Sequence, residues 1–266
     1  LLQELTARDP RIRVEFRETN GHIAEATNTA LAMARHAHIA LMDQDDLLTP
    51  DALREMALAI QAHPDGQLFY SDEDKVLDDG TIFYPYFKNT SWDWDLLLGQ
   101  NMVNHLGVYR TDRLRAIGGF RSGFPGSQDH DMLLRYAEDL ESAQLIHIPK
   151  VLYHWRAHAG STAATISVKS DALDSTRRAL TQHLERKNIE GSAELVPGTQ
   201  CFRIRYALPK PTPLVSLIVD LGADCPLDPA LAQALKEKAG LSKLELLFLY
   251  DLCRGRCPLE HGLMRR

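Results

Sequence analysis

The chain has 266 residues, a hydrophobic content of 44%, a charged content of 25% and a formal charge of −6. These are the values of a soluble globular protein, with room for one large domain, or for one domain and part of another. The negative balance argues against a nucleic-acid binder, whose partner favours basic faces, and no apolar run reaches the roughly 20 residues of a membrane span.

The chain opens in a helix-like stretch, Leu1 to Ala7, with neither an initiating Met nor a signal segment, and reads as a fragment whose front is missing. Arg11 to Phe16 alternates and predicts a strand, and Glu18-Thr19-Asn20-Gly21 a turn. From Ile23 to Ala34 an Ala-rich run with helical spacing predicts a helix. Asn28 within it is a poor helix former: either an exposed Asn or a polar side chain facing a ligand cleft.

Ile39-Ala40-Leu41-Met42 is then an apolar run that stops abruptly at Asp43-Gln44-Asp45-Asp46. The apolar part reads as a buried strand of a parallel sheet, and the acids fall at its carboxyl end, where open α/β sheets bind ligands. Capping of the next helix, Pro50 to Ala62, is already provided by Thr49-Pro50-Asp51. Three neighbouring carboxylates repel one another and need a cation or heavy solvation. A divalent-metal or nucleotide-diphosphate site is therefore preferred to a solvated acidic turn.

Gln67 to Tyr70 predicts a further strand that also runs into acid, Ser71-Asp72-Glu73-Asp74-Lys75. This is either a second acidic strand end on the same rim or a polar hairpin turn, since Asp78-Asp79-Gly80 soon follows. Tyr84, Tyr86, Phe87, Trp92 and Trp94 suit packing first, with one or two able to face a sugar ring. A polar run, Gln100 to His105, leads to a strand at Leu106 to Tyr109, and Thr111 opens a short helix that ends at Gly118-Gly119.

Gly126-Ser127 feeds a helix whose first turn carries Asp129 and Asp131. Asp131 fits the helix dipole; Asp129, at the entrance, is placed to face a cleft as a general base. Leu145 to Ile148 and Lys150 to Trp155 predict strands on either side of Pro149, and His158 follows as a metal-ligand candidate. A zinc site shared by His154 and His158 is disfavoured, because His154 sits within the strand and points elsewhere. Val168 to Lys187 predicts a long amphipathic helix, and Ala193 to Val196 with Cys201 to Tyr206 a closing hairpin.

Residues 208–213 form a Pro-rich linker. After it come a strand at Leu214 to Val219, a helix at Asp228 to Lys238 and a strand at Leu244 to Tyr250 followed by Asp251, a β-α-β opening. All four cysteines lie in the last quarter, so no disulfide framework holds the main body, which suits a reducing compartment.

The ordered set Asn20-Gly21-His22-Ile23-Ala24 through Asn28, Leu41-Met42-Asp43-Gln44-Asp45-Asp46, Tyr70-Ser71-Asp72-Glu73-Asp74-Lys75, Gly126-Ser127-Gln128-Asp129-His130-Asp131 and Tyr153-His154-Trp155-Arg156-Ala157-His158 resembles the inverting family 2 glycosyltransferases of GT-A fold. The likeness is to bacterial enzymes of O-antigen and other cell-surface polysaccharide assembly. It implies an α/β fold, Rossmann-like, with a mixed central sheet flanked by helices and incomplete at the N-terminus. Residues 1–207 would form the glycosyltransferase domain lacking its first strands, and residues 214–266 the start of a second such domain.

The resemblance assigns Asp43 and Asp45 to the Asp-x-Asp motif that holds a sugar nucleotide through Mn²⁺ or Mg²⁺, with Asp46 adjacent. Asp129 matches the catalytic base, His158 a His that approaches metal and diphosphate, and Asn28 a polar helix position near the nucleotide. The implied partners are a nucleotide-sugar donor and a glycan or lipid-linked saccharide acceptor, with no nucleic acid. The implied location is cytoplasmic, at the inner face of the membrane if the full-length protein associates peripherally. Because the family's opening strands normally precede residue 1, an incomplete donor pocket is also expected. The competing readings are a metal-dependent phosphoryl hydrolase and a non-catalytic carbohydrate-binding remnant of a tandem enzyme.

Overall fold

A computed structural model describes residues 1–88, 91–157, 170–220, 230, 233–234, 237 and 244–249. The chain divides into two compact units, Leu1–Tyr206 and Ala207–Arg266.

The first unit is built on a six-stranded mixed sheet. Its strands are β1 (His38–Leu41), β2 (Leu47–Leu48), β3 (Leu68–Val76), β4 (Ile82–Tyr86), β5 (Gly107–Arg110) and β6 (Leu145–Arg156). The order is β1-β5-β3-β6-β2, with β4 paired to β3 beyond the end of β5. β3 and β6 run parallel, whereas β5 lies antiparallel to both β1 and β3. Successive residues of β3 face opposite sides of the sheet, which requires helices on both. Leu68 and Tyr70 face a core with α2 (His22–Met33), α4 (Trp94–Gly99), α5 (Thr111–Ala116), α6 (Gln128–Ala137) and α7 (Ser170–Arg186). Phe69 faces a smaller core with Leu106, Val108 and Leu152, closed by Ala52 and Met56 of α3 (Ala52–Ala62). An antiparallel hairpin, β7 (Gly191–Leu195) and β8 (Phe202–Tyr206), packs Ala193 and Phe202 onto the larger core.

Four local expectations are corrected. Arg11 to Phe16 is not a strand: among the described residues no neighbour pairs with it, and Phe16 is left 62% exposed. β1 is a half-buried strand antiparallel to β5, not a buried member of a parallel array. The acidic run Asp72-Glu73-Asp74 is no turn; it lies inside β3 and is buried. Leu145 to Trp155 is one strand, and its pairing with β3 slips between Ser71 and Glu73. The slip takes in Pro149, which has no N–H to give to a ladder.

One register fact positions the site. Ile39 and Leu68 both lie opposite Tyr109, and Leu41 and Tyr70 both lie opposite Gly107. Leu41 and Tyr70 therefore stand at the same level on either side of β5, so the acids that follow Leu41 leave the sheet level with the buried acids that continue β3 past Tyr70.

In the second unit, β9 (Val215–Asp220) and β10 (Leu244–Leu249) pair in parallel from Val215–Leu244 to Asp220–Leu249. A parallel pair needs a crossover connection. The helix expected at Asp228 to Lys238 falls largely outside the described residues, as does Asp251.

Candidate active site

After β1 the chain turns through Met42 to Asp46 and re-enters the sheet as β2, next to β6. β6 clamps this turn. The Tyr153 phenol donates to one Asp46 oxygen (2.5 Å), and the Arg156 backbone N–H donates to the other (2.8 Å). The Asp43 backbone N–H donates to the Tyr153 oxygen (3.2 Å), and Arg156 Nε donates to the Asp45 carbonyl (2.7 Å). Asp46 is thus an inward anchor. Its burial raises its pKa, opposed by the Tyr153 and Arg156 hydrogen bonds. With that corner fixed, the Asp43 and Asp45 side chains stay at the surface.

His105 sits between Asp43, just after β1, and Glu73, inside β3. Its Nε2 lies 3.6 Å from Asp43 Oδ2, and its backbone N–H donates to Glu73 Oε2 (3.1 Å). The ring stacks on Tyr153 at 4.6 Å, with Trp155 edge-on. Burial works against a charged His105, but Asp43, Glu73 and Asp129 outweigh it and raise its pKa. In turn the imidazole holds Asp43 below the usual carboxylate range.

Asp129 stands at the start of α6, half-buried. One of its oxygens accepts from the His130 backbone N–H (2.8 Å), the other from Asn101 Nδ2 (2.9 Å). Asn101 and His105 belong to the same short connection before β5. The structure therefore ties Asp129 to Asp43 through one stretch of chain, Asn101 to His105.

That stretch rests on the buried acids of β3. Glu73 accepts from Asn104 Nδ2 (3.2 Å) and from Lys88 Nζ (3.2 Å). Lys88, its side chain wholly buried, also donates to the carbonyls of Val103 (2.6 Å) and His105 (2.7 Å). Burial lowers the Lys88 pKa, against the pull of Glu73 and Asp72. Asp72 accepts from His147 Nε2 (2.8 Å) and from the Lys88 backbone N–H (2.8 Å), and Asp74 pairs with His154 Nδ1 (2.5 Å). Each acid in the run has a cationic or imidazole partner, which is why it can lie inside a strand.

The other expected site residues divide. Asn28 brackets α2 to the turn at Gly119: its Nδ2 donates to the Phe120 carbonyl (2.7 Å) and its Oδ1 accepts from the Phe120 N–H (2.9 Å). This gives Asn28 a packing task, in place of the nucleotide contact expected for it. Gly119 has φ +65, and a Cβ there would meet Asn28 Oδ1 at 2.4 Å. Asp131 is buried against Arg121 and Arg135, consistent with a structural role. His158 lies outside the described residues.

Carboxylate oxygens suit Mg²⁺ or Mn²⁺, and Mg²⁺ characteristically binds through one or two carboxylates, completing its shell with water and phosphate oxygens. The exposed pair Asp43 and Asp45, on a turn anchored from below by Asp46, fits a cation that arrives with a diphosphate. Among the described residues no three His, Cys, Asp or Glu side chains group to hold an ion by themselves.

Asn101, His105 and Lys88 were not singled out by sequence pattern, and Glu73 and Tyr153 entered only as members of the runs Tyr70 to Lys75 and Tyr153 to His158, with no role of their own. One signal was present: a polar run, Gln100 to His105, leading directly into an apolar strand. Its partners lie 28 and 32 residues away, at Asp129 and Glu73, a separation that no local spacing encodes.

Residues 1–117 match the model of the family described as Glycosyl transferase family 2. The chain is 48% identical, over 82% of its length, to the uncharacterized protein y4gI of Sinorhizobium fredii, and covers 24% of that protein. It is 37% identical, again over 82% of its length, to the O-antigen biosynthesis protein RfbC of Myxococcus xanthus, and covers 17% of it. The chain thus spans a quarter or less of the length of these curated relatives. Among solved structures, S. aureus TarS 1–349 in complex with UDP-GlcNAc superposes with a TM-score of 0.54 at 18% identity, over 69% of this chain and 53% of that one. At that identity the likeness is one of fold: the mixed sheet flanked by helices is of GT-A type.

Proposed function

We propose that this chain, whose residues 1–117 match the model of glycosyl transferase family 2, is the working part of an inverting, metal-dependent glycosyltransferase of surface-polysaccharide assembly. It takes a sugar from a nucleoside-diphosphate donor and passes it to a glycan or lipid-linked acceptor. The observation that carries this reading is one arrangement: the exposed carboxylates Asp43 and Asp45 on a single turn, with Asp43 tied through the stretch from His105 back to Asn101 to Asp129.

In the proposed reaction Asp129 takes the proton of the acceptor hydroxyl. That oxygen forms a bond to the anomeric carbon as the bond to the diphosphate breaks, and the diphosphate leaves with the electron pair. The single displacement inverts the centre. A divalent cation, Mn²⁺ or Mg²⁺, held at Asp45 with Asp43 beside it and with His158 as a further ligand, would offset the charge of the departing diphosphate. Asp46 holds the turn in shape from beneath and is not a ligand in this reading.

Similarity to RfbC supports the surface-polysaccharide setting, and the UDP-GlcNAc bound in the TarS structure makes UDP-sugars the first donors to try. A cytoplasmic working place, at the membrane face, goes with this reading; among the described residues no helix is long and apolar enough to cross a membrane. We assign residues 214–266 to the opening of a second domain of the same kind, supported by the parallel pair β9–β10.

The test is binding followed by transfer. UDP or dTDP with Mn²⁺ is expected to raise the melting temperature of the chain, and EDTA to cancel the rise. Asp45→Asn should remove the response. Asp129→Asn should keep it while abolishing release of nucleoside diphosphate from UDP- and dTDP-sugars in the presence of acceptor glycans. A nucleotide response that EDTA leaves intact would refute the metal site, and equal loss of binding and transfer in Asp129→Asn would refute the base assignment.

A further inference from the structure

We infer that Asn101 is a positioning residue for Asp129: it fixes the plane of the carboxylate that receives the proton. The inference rests on the reading of Asp129 as the base and deepens it.

The hydrogen bonds decide which way the Asn101 amide points. Its Oδ1 accepts from two backbone N–H groups, those of Val103 (3.1 Å) and Asn104 (3.1 Å). A flipped amide would forfeit both and would turn an acceptor toward a carboxylate. The NH₂ end must therefore face Asp129, where Nδ2 donates to Oδ2 (2.9 Å). The second oxygen is held by the His130 backbone N–H (2.8 Å). Among the described residues each oxygen has one donor, which sets the carboxylate plane and leaves a further lone pair for an incoming hydroxyl.

The strut that carries Asn101 is itself rigid. Gln100 Nε2 donates to the Tyr86 oxygen (3.2 Å), Asn104 and His105 are pinned to Glu73, and Lys88 takes the carbonyls of Val103 and His105. Asn104 is held at φ +39, a left-handed conformation uncommon outside glycine that these contacts over-determine. An Asn on a mobile loop would add little, whereas an Asn on this strut transfers the order of the buried β3 acids to the reacting group. Misplacing a reacting group by about 1 Å costs on the order of a hundredfold in rate.

Asn101→Asp separates the two tasks of the residue. It retains an oxygen for the Val103 and Asn104 N–H groups and replaces the donor to Asp129 with a repelling carboxylate. In the full chain, Asn101→Asp is expected to lower kcat for UDP-sugar turnover on the order of a hundredfold, with the donor KM and the UDP–Mn²⁺ thermal shift unchanged. In an Asp129→Asn background the same substitution should have no further effect on turnover. Independently of turnover, the Asn101 side-chain amide signal in a ¹⁵N-labelled chain should move in Asp129→Asn. Wild-type kcat in Asn101→Asp, or an amide signal indifferent to Asp129→Asn, overturns the positioning role. Turnover that survives in Asp129→Asn itself overturns the base assignment instead.

Discussion

Lys88 shows how a charge comes to lie in the interior beneath Asn101 to His105. Its ammonium has one carboxylate, Glu73, and two carbonyls, Val103 and His105, as acceptors within 3.2 Å, and its side chain has no solvent contact. Removing one member of such a pair strands the other. Lys88→Met is expected to destabilise the chain by roughly 3–5 kcal/mol, read as a lower urea midpoint at unchanged m-value. Adding Glu73→Gln to Lys88→Met should recover part of the loss, because the remaining side chain is then neutral. A loss below about 1 kcal/mol in Lys88→Met would be that of an exposed pair and would contradict the buried arrangement. The contrast with Asp43 and Asp45 is instructive. Those two could be singled out as candidates because the motif lies within one short stretch: an apolar strand ending in carboxylates with no capping task. Lys88, Asn101 and His105 were not, because each acts through residues 15 to 62 positions away — Asp43, Glu73 and Asp129 — that only the folded sheet brings near.

Among elements, the helices were the readable part. α2 and α7 follow from helical spacing and α3 from its Thr49-Pro50-Asp51 start, and the observed bounds of all three fall close to those expected, while α6 was legible only at its beginning, after Gly126-Ser127. β3 was read only as far as Tyr70 for a physical reason: Asp72-Glu73-Asp74 looks like solvent-exposed chain until His147, Lys88 and His154 are supplied by other elements. The same dependence on a remote partner governs the junction of α6 and α7. Glu138, at the end of α6, accepts from His183 Nδ1 (2.9 Å) and from Arg186 Nε (2.8 Å) on α7. Burial pushes its carboxyl up, but the His183 and Arg186 hydrogen bonds prevail and bring its pKa down to about 2. A depressed carboxylate stabilises the fold above its unfolded value of 4.5, and that contribution is lost as pH falls through about 2. Glu138→Gln should therefore melt lower than the parent chain at pH 6 by on the order of 2 kcal/mol, and the gap should close on acidification between about pH 4.5 and pH 2. Parallel melting curves across that window would show that Glu138 holds no such charge.

For the molecule as a whole, the question is which residues the first unit needs. Every buried hydrophobic side chain among the described residues lies between Ala24 and Phe202, so both packed layers of the sheet close before the prolines at 209, 211 and 213. The hairpin β7–β8 supplies the last of them, Ala193 and Phe202, and is followed by exposed Leu208. A chain ended at residue 207 thus loses no core residue of Leu1–Tyr206, and its length is ample for an independent domain. It is expected to unfold in one cooperative transition within a few degrees of the intact chain, since a shift of about 1 kcal/mol moves the midpoint of a domain this size by only 2–4 °C. It should also keep the UDP–Mn²⁺ thermal shift, because Asp43, Asp45 and Asp129 all precede the cut. A chain ended at residue 190 would lose the hairpin, open the larger core at Phe202 and melt far lower. If ending at 207 were as damaging as ending at 190, the boundary would lie further on, and the strands after the prolines would be part of the first fold rather than the opening of another.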